Sequence, residues 1–204
     1  MKNILIILTA FFFLSLKAAV EIKAPFGFEW DQTKSDLSSK GFDLLDCSIS
    51  ESIPIESCQL KNSPKKYSKA DFFFLVFASG EGLQKVSMIG KNITSDAYGT
   101  SGKEQYSSLK TTLSKKYGKP SDVFEWTGRE LYKDADEFYE CLKYQGCGTQ
   151  ASYWLDDVEG TISLDIKGVS RGTGYITITY ESKRWSDILD RFNNENNSAD
   201  EESL

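Results

Sequence analysis

The chain of 204 residues carries 24 Lys and Arg against 30 Asp and Glu and contains no histidine. That absence removes Ser-His-Asp and Cys-His catalysis and His-ligated zinc or iron. The acidic balance argues against nucleic acid as a partner, because such binding rests on basic charge that releases counterions.

Residues 1–18 read as a signal peptide: Lys2 precedes an apolar stretch from Ile4 to Leu16, followed by small residues suited to cleavage after Ala18. The stretch is short of the roughly 20 residues needed to span a bilayer, so no stable membrane anchor is expected after cleavage. Removing Lys2 and Lys17 with the leader leaves 22 of the 24 basic residues against 30 acidic ones, a net of about −8. Export places the mature part in an oxidising compartment, periplasmic or extracellular, where its four cysteines pair. Three connectivities are open. The local one joins Cys47 to Cys58 and Cys141 to Cys147.

A first helix is predicted at about 33–40, where Thr33 and Asp36 have capping-box spacing and Gly41 supplies a stop. The strands "FDLLDCSI" and "IESCQL" follow as a hairpin that Cys47 and Cys58 would lock. After the basic loop "KNSPKKYSK" comes "DFFFLVFAS", an unbroken apolar run expected to be a central strand buried on both faces, with "LQKVSMIGKNI" as its partner. In "SGKEQYSSLKTTLSKKYGKP", Ser101 and Glu104 suggest a second capping box, and Tyr106, Leu109, Leu113 and Tyr117 share a face. "DVFEW" reads as a strand and "DADEFYECLKY" as a short helix begun by Asp134. "TQASYWL", "TISLDIKG" and "YITITYES" form a meander, and "RWSDILDRF" a last helix that docks on the sheet. Residues 193–204 are polar and acidic and read as a disordered tail.

The fold class is therefore α+β: an antiparallel sheet with helices packed on one face, stapled by two disulfides. It is organised as two similar half-units, 19–100 and 101–192, or as one continuous sheet; the residue pattern leaves both open.

Few groups offer chemistry. Cys141 and Cys147 are separated by five residues, with Cys141 late in its helix, where the dipole opposes thiolate formation; a staple is favoured over a redox pair or a metal site. Acids cluster at Asp156, Asp157 and Glu159 and at Asp134, Asp136 and Glu137, the raw material for a glycan hydrolase, but in a turn and at a helix start respectively. The candidate partner contacts are Lys65, Lys66 and Tyr67 in the basic loop, Trp154 in the meander and Arg171 in the turn "GVSRGTG". No catalytic residue, metal or cofactor is assigned.

The "FGFEWDQTKSDLSSKGF" start and the "YSSLKTTLSKKYGKP" helix, each followed by strands, resemble small exported bacterial modules that pack helices on an antiparallel sheet. That group includes the outer-membrane-assembly small lipoprotein and the β-lactamase inhibitory proteins. The likeness covers about a third of the chain and transfers no functional residue. The chain lacks a lipid-anchor cysteine, and "DADEFYECLKYQGCG" has no counterpart there. The resemblance implies a non-enzymatic protein that binds a protein partner in the bacterial envelope, as an accessory factor or as an inhibitor or immunity-type antagonist. The alternative is a carboxylate-dependent cell-wall or glycan hydrolase.

Overall fold

A computed structural model describes residues 21–51, 53–128, 131–156 and 159–202; the leader reading lies outside them. Among the described residues no helix is long and apolar enough to cross a membrane.

The first helix, α1 (Lys34–Ser39), begins as its capping box requires. The Thr33 hydroxyl accepts from the Asp36 N–H at 3.1 Å, and the Asp36 carboxylate accepts from the Thr33 N–H at 2.7 Å. Only Leu37 of α1 is buried, so the cap supplies order that a single core contact does not. Four strands follow as a meander: β1 (Leu45–Ile49), β2 (Ile55–Leu60), β3 (Ala70–Ala78) and β4 (Gly82–Gly90). The second half repeats the plan with α2 (Thr100–Tyr117), β5 (Asp122–Trp126), a 3-10 turn at Ala135–Glu137 running into α3 (Phe138–Lys143), then β6 (Thr149–Asp156), β7 (Gly160–Ser170) and β8 (Thr173–Glu181). The chain ends in α4 (Trp185–Glu202).

All eight strands form one antiparallel sheet in the order β1-β2-β3-β4-β8-β7-β6-β5. Of the organisations left open by the residue pattern, the continuous sheet is the one observed. Each half is a helix followed by four meandering strands, and the halves share a sheet because their last strands, β4 and β8, pair.

Alternation along the strands sends one set of side chains to the core. Phe73, Leu75 and Phe77 of β3, Val86 and Met88 of β4, Ile162, Leu164 and Ile166 of β7, and Ile176, Ile178 and Tyr180 of β8 form a single cluster. Leu37 of α1, Tyr106 and Leu113 of α2, and Phe138 and Tyr139 of α3 close over it. The apolar run of β3 is buried on both faces only toward its end, at Val76 and Ala78; Phe72 and Phe74 remain half-exposed because none of the described elements covers their side of the sheet there.

α2 does not use a Ser101–Glu104 box. Its N-cap is Gly99, in the left-handed region at φ 69°, where no side chain caps the helix. The Phe138 ring lies so close that a Cβ at Gly99 would sit 2.1 Å from it. Asp96 takes over, its carboxylate accepting from the N–H groups of Ser101 at 3.1 Å and Gly102 at 3.0 Å and from the Tyr139 hydroxyl at 2.8 Å.

α3 presses close on the sheet because β7 and β8 present opposed glycines beneath it: Gly168 and Gly174 are register partners. A Cβ at Gly168 would lie 1.8 Å from the Tyr139 carbonyl oxygen, and one at Gly174 would lie 2.2 Å from the Tyr139 ring. The 3-10 turn that leads into α3 starts at Asp134 as expected, with Asp134 and Glu137 in a reciprocal capping box.

α4 departs from the other helices. Ile188 and Phe192 pack with Ile53, Ile55 and Ala78, and Ile55 and Ala78 are register partners on the face opposite the main core. The Lys85 ammonium, also on that face, lies 5.5 Å from the centre of the Trp185 ring. The helix runs to Glu202, past the boundary read at 192, so the acidic segment to that point is helical rather than a disordered tail. Once Trp185, Ile188 and Phe192 have anchored the first turns, each further turn costs little, since nucleation is the expensive step.

Candidate functional site: the uncovered sheet face

Among the described residues, the face opposite α1–α3 is covered at one end by α4 and is open elsewhere. Register assigns its residues. Phe72, Phe74 and Val76 of β3 stand opposite Ile89, Ser87 and Lys85 of β4, and these in turn face Thr177, Thr179 and Glu181 of β8. Thr161, Ser163, Asp165 and Lys167 of β7 continue the surface, then Tyr153 of β6 and Phe124 of β5. The result is a shallow concavity of about 440 Å³ with aromatic rings on both flanks and hydroxyls along the middle.

Geometry fixes the character of each part. Ser87 Oγ and Thr179 Oγ1 lie 2.9 Å apart across the seam between the halves. Lys85 donates to Glu181 at 2.7 Å and Lys167 to Asp165 at 3.3 Å, so the charges on this face are balanced within it. Phe72 and Phe74 meet edge to face at 5.2 Å, and Phe124 and Tyr153 at 5.9 Å. Burial, and then the nearby Asp165 charge, push the Tyr153 phenol above its ordinary range and keep it a hydrogen-bond donor. Such a surface offers stacking area and hydroxyl contacts, with its lysines and acids held in pairs.

The expected contact residues fall elsewhere. Trp154 is only 4% exposed, and its indole N–H donates to the Gly118 carbonyl at 2.9 Å at the end of α2; its neighbour Tyr153 is the one that reaches the open face. Arg171 is exposed at the β7–β8 turn but ion-paired with Asp136, which ties that turn to the start of α3. Tyr67 packs on Phe26 with ring centres 5.4 Å apart, and the Lys65 N–H donates to the Phe26 carbonyl at 2.8 Å, so this loop is bound to the core's rim. Lys66 shares with Tyr67, Lys61 and Lys91 a hollow of about 500 Å³ in which Asp71 pairs with Lys61 at 2.8 Å.

A hollow of about 670 Å³ opens at the β3–β4 turn end of the sheet, with Ile49, Pro54, Ile55 and Ala78 as apolar wall. Its carboxylates are each held by a cation: Asp31 and Glu81 by Arg184, Glu81 also by Arg191, and Glu56 by Lys34. Of the acid clusters read from sequence, the one at Asp134, Asp136 and Glu137 is likewise committed. The Glu137 carboxylate accepts from the Asp134 N–H at 3.2 Å, and Asp136 holds Arg171. Asp157 lies outside the described residues. Asp36, Asp96 and Asp136 are all shifted toward lower pKa, the reverse of what a general acid needs.

Both disulfides form in the local pairing. Cys47 bonds Cys58 across the β1–β2 hairpin, with Cα atoms 4.0 Å apart, and Cys141 bonds Cys147 with Cα atoms 5.1 Å apart. Cys47, Glu56 and Cys58 bring three potential ligand atoms within 4.8 Å, yet the two sulfurs are bonded to each other and are not thiolates. Cys141 and Cys147 are both 0% exposed, and thiol exchange requires in-line access to a sulfur. Under native conditions a mild reductant is therefore expected to leave this bond intact, as read by alkylation and mass spectrometry. Fast, selective reduction would establish a redox pair. Replacing both cysteines by serine is expected to cost about 2 kcal/mol, the chain-entropy value for so short a loop.

Sequence reasoning missed the open face and the Asp31–Arg184–Glu81–Arg191 network. The face had a signal: Thr161, Ser163, Asp165 and Lys167 alternate with Ile162, Leu164 and Ile166, a period-two pattern of one wet and one dry side. The network had none, because Arg184 lies 153 residues from Asp31.

Comparison of the chain with protein-family models, with curated proteins and with solved structures found no match. The two disulfides belong to an oxidising, non-cytoplasmic compartment.

Proposed function

We propose that this is an exported protein of the periplasm or extracellular space that works by non-covalent binding of another protein, an accessory factor of the envelope or an antagonist of a hydrolase or toxin. The observation that carries the reading is the open half of an eight-stranded sheet, lined by Phe72, Phe74, Phe124 and Tyr153 around a hydroxyl-rich centre. Aromatic residues on a rigid surface provide contact area at small entropic cost. The carboxylates that line the hollow at the β3–β4 turn are engaged in ion pairs, which supports binding over hydrolysis. The acidic balance of the mature chain favours a basic partner, since complementary charge speeds encounter even where the contact itself is neutral.

The test uses immobilised protein and its face variants on envelope extract and culture supernatant. Wild type is expected to retain one stoichiometric protein at moderate salt. The pair Phe74→Glu and Tyr153→Lys is expected to lower its affinity at least about 100-fold, the loss of two central aromatic anchors. Lys115→Glu on the outer side of α2 is expected to leave retention unchanged. A partner held equally by the face variants, or none held by wild type, overturns the reading.

A further inference from the structure

The two edges of the sheet differ. At β1 the register with β2 shifts between Leu45 and Ser48, Asp46 has a left-handed φ of 47°, and Cys47 is tied back to Cys58. A bulge and a cross-link of this kind blunt an edge against further pairing. Among the described residues β5 has neither a bulge nor a cross-link. Asp122–Trp126 pairs with β6 through five consecutive positions without a shift, and its five residues include no lysine, proline or glycine. Its outer side has no neighbouring strand, and Val123 is 43% and Phe124 46% exposed there.

From this we infer that β5 is the contact of a two-fold homodimer, in which two copies join edge to edge. The sequence Asp-Val-Phe-Glu-Trp is self-complementary when paired antiparallel about Phe124. Phe124 then meets the Phe124 of the second copy, Val123 faces Glu125, and Asp122 faces Trp126. No like charges stand directly opposite, which would destabilise a strand pair. Glu125 is already neutralised by Lys110 of its own α2 at 2.7 Å. Both chains contribute the same patch, as a two-fold axis requires. The open faces of the two sheets become continuous across the joint, because Phe124 lies on that face in each copy.

A five-residue strand pair buries less than a standard interface of about 1,600 Å², so the dissociation constant is on the order of 100 μM. Each copy carries the same net negative charge, and salt screens their repulsion. Association therefore tightens as ionic strength rises, the opposite of what an acidic protein does with a basic partner.

Sedimentation velocity of the purified protein from about 10 μM to about 500 μM, at low and at high salt, tests this across the expected midpoint. The expected result is a monomer-to-dimer shift that moves to lower concentration in salt, with hydrogen exchange of the 122–126 amides slowing as dimer forms. Phe124→Lys places a charge on an exposed edge position without touching the core, and is expected to hold the protein monomeric throughout. Monomer at every concentration for wild type overturns the proposal. So does a dimer that survives Phe124→Lys, leaves the 122–126 amides unprotected, or dissolves as salt is raised.

Discussion

Gly168→Ala is expected to be among the most destabilising single substitutions in the protein, lowering stability by about 3 kcal/mol, the upper part of the range for overfilled sites. The reason lies in what the new methyl meets. At Gly168 it strikes the Tyr139 carbonyl at 1.8 Å and the Lys143 N–H at 2.8 Å, both backbone atoms of the helix above. α3 would have to lift off β7, and with it the Tyr139 ring that fills the space over Gly174. Gly174→Ala strikes that ring at 2.2 Å and the Lys167 carbonyl oxygen of β7 at 2.5 Å, but no backbone atom of α3. The two variants therefore separate in a double-mutant cycle. In urea denaturation, Tyr139→Leu in the same chain is expected to recover part of the loss at Gly174 and none of it at Gly168. Equal recovery at both positions would mean that α3 adjusts as a body.

Asp96→Ala is the second large effect, expected at about 2–3 kcal/mol because it strips a buried carboxylate from two helix N–H groups and the Tyr139 hydroxyl at once. Asp96 is 8% exposed, so water does not replace these contacts at no cost. Its ionisation also sets a pH dependence. Burial alone would raise its pKa, but the Gly102 N–H, the Tyr139 hydroxyl and the Ser101 N–H together hold it below the ordinary 3.8. With the folded value depressed, the unfolded chain binds the proton more readily. The stabilisation is complete above the unfolded pKa and is lost as pH falls through the folded one. The difference in unfolding free energy between wild type and Asp96→Asn is therefore expected to be constant above about pH 5 and to shrink below about pH 4, the window set by this downward shift. A difference that widened toward acid would contradict the assigned ionisation.

What the sequence made legible was local. The capping box at Thr33, the helix start at Asp134, the disulfide pairs and strands β2 and β5 follow from residues within a dozen positions of one another. The α2 cap misled because Ser101 and Glu104 have the right spacing, while the decisive contact came from Phe138, which crowds Gly99 from another helix. Alternation showed that Tyr153 and Trp154 point opposite ways but not which side is covered; that depends on where α2 ends and offers the Gly118 carbonyl. The same limit hid the open face. Strand parity is a property of sequence, whereas the choice of covered side is made by helices that arrive from elsewhere in the chain.

The seam between β4 and β8 also imposes an order in time. Lys85 meets Glu181 across a separation of 96 residues, and at ordinary synthesis rates of 5 to 20 residues per second β4 is complete roughly 5 to 20 seconds before its neighbour exists. Through that interval the first meander stands finished but unshielded along the flank where Val86 and Met88 await the second. The nascent chain is thus most in need of a chaperone at its midpoint, and a pause in production after Gly90 would prolong the most aggregation-prone moment in the life of the molecule.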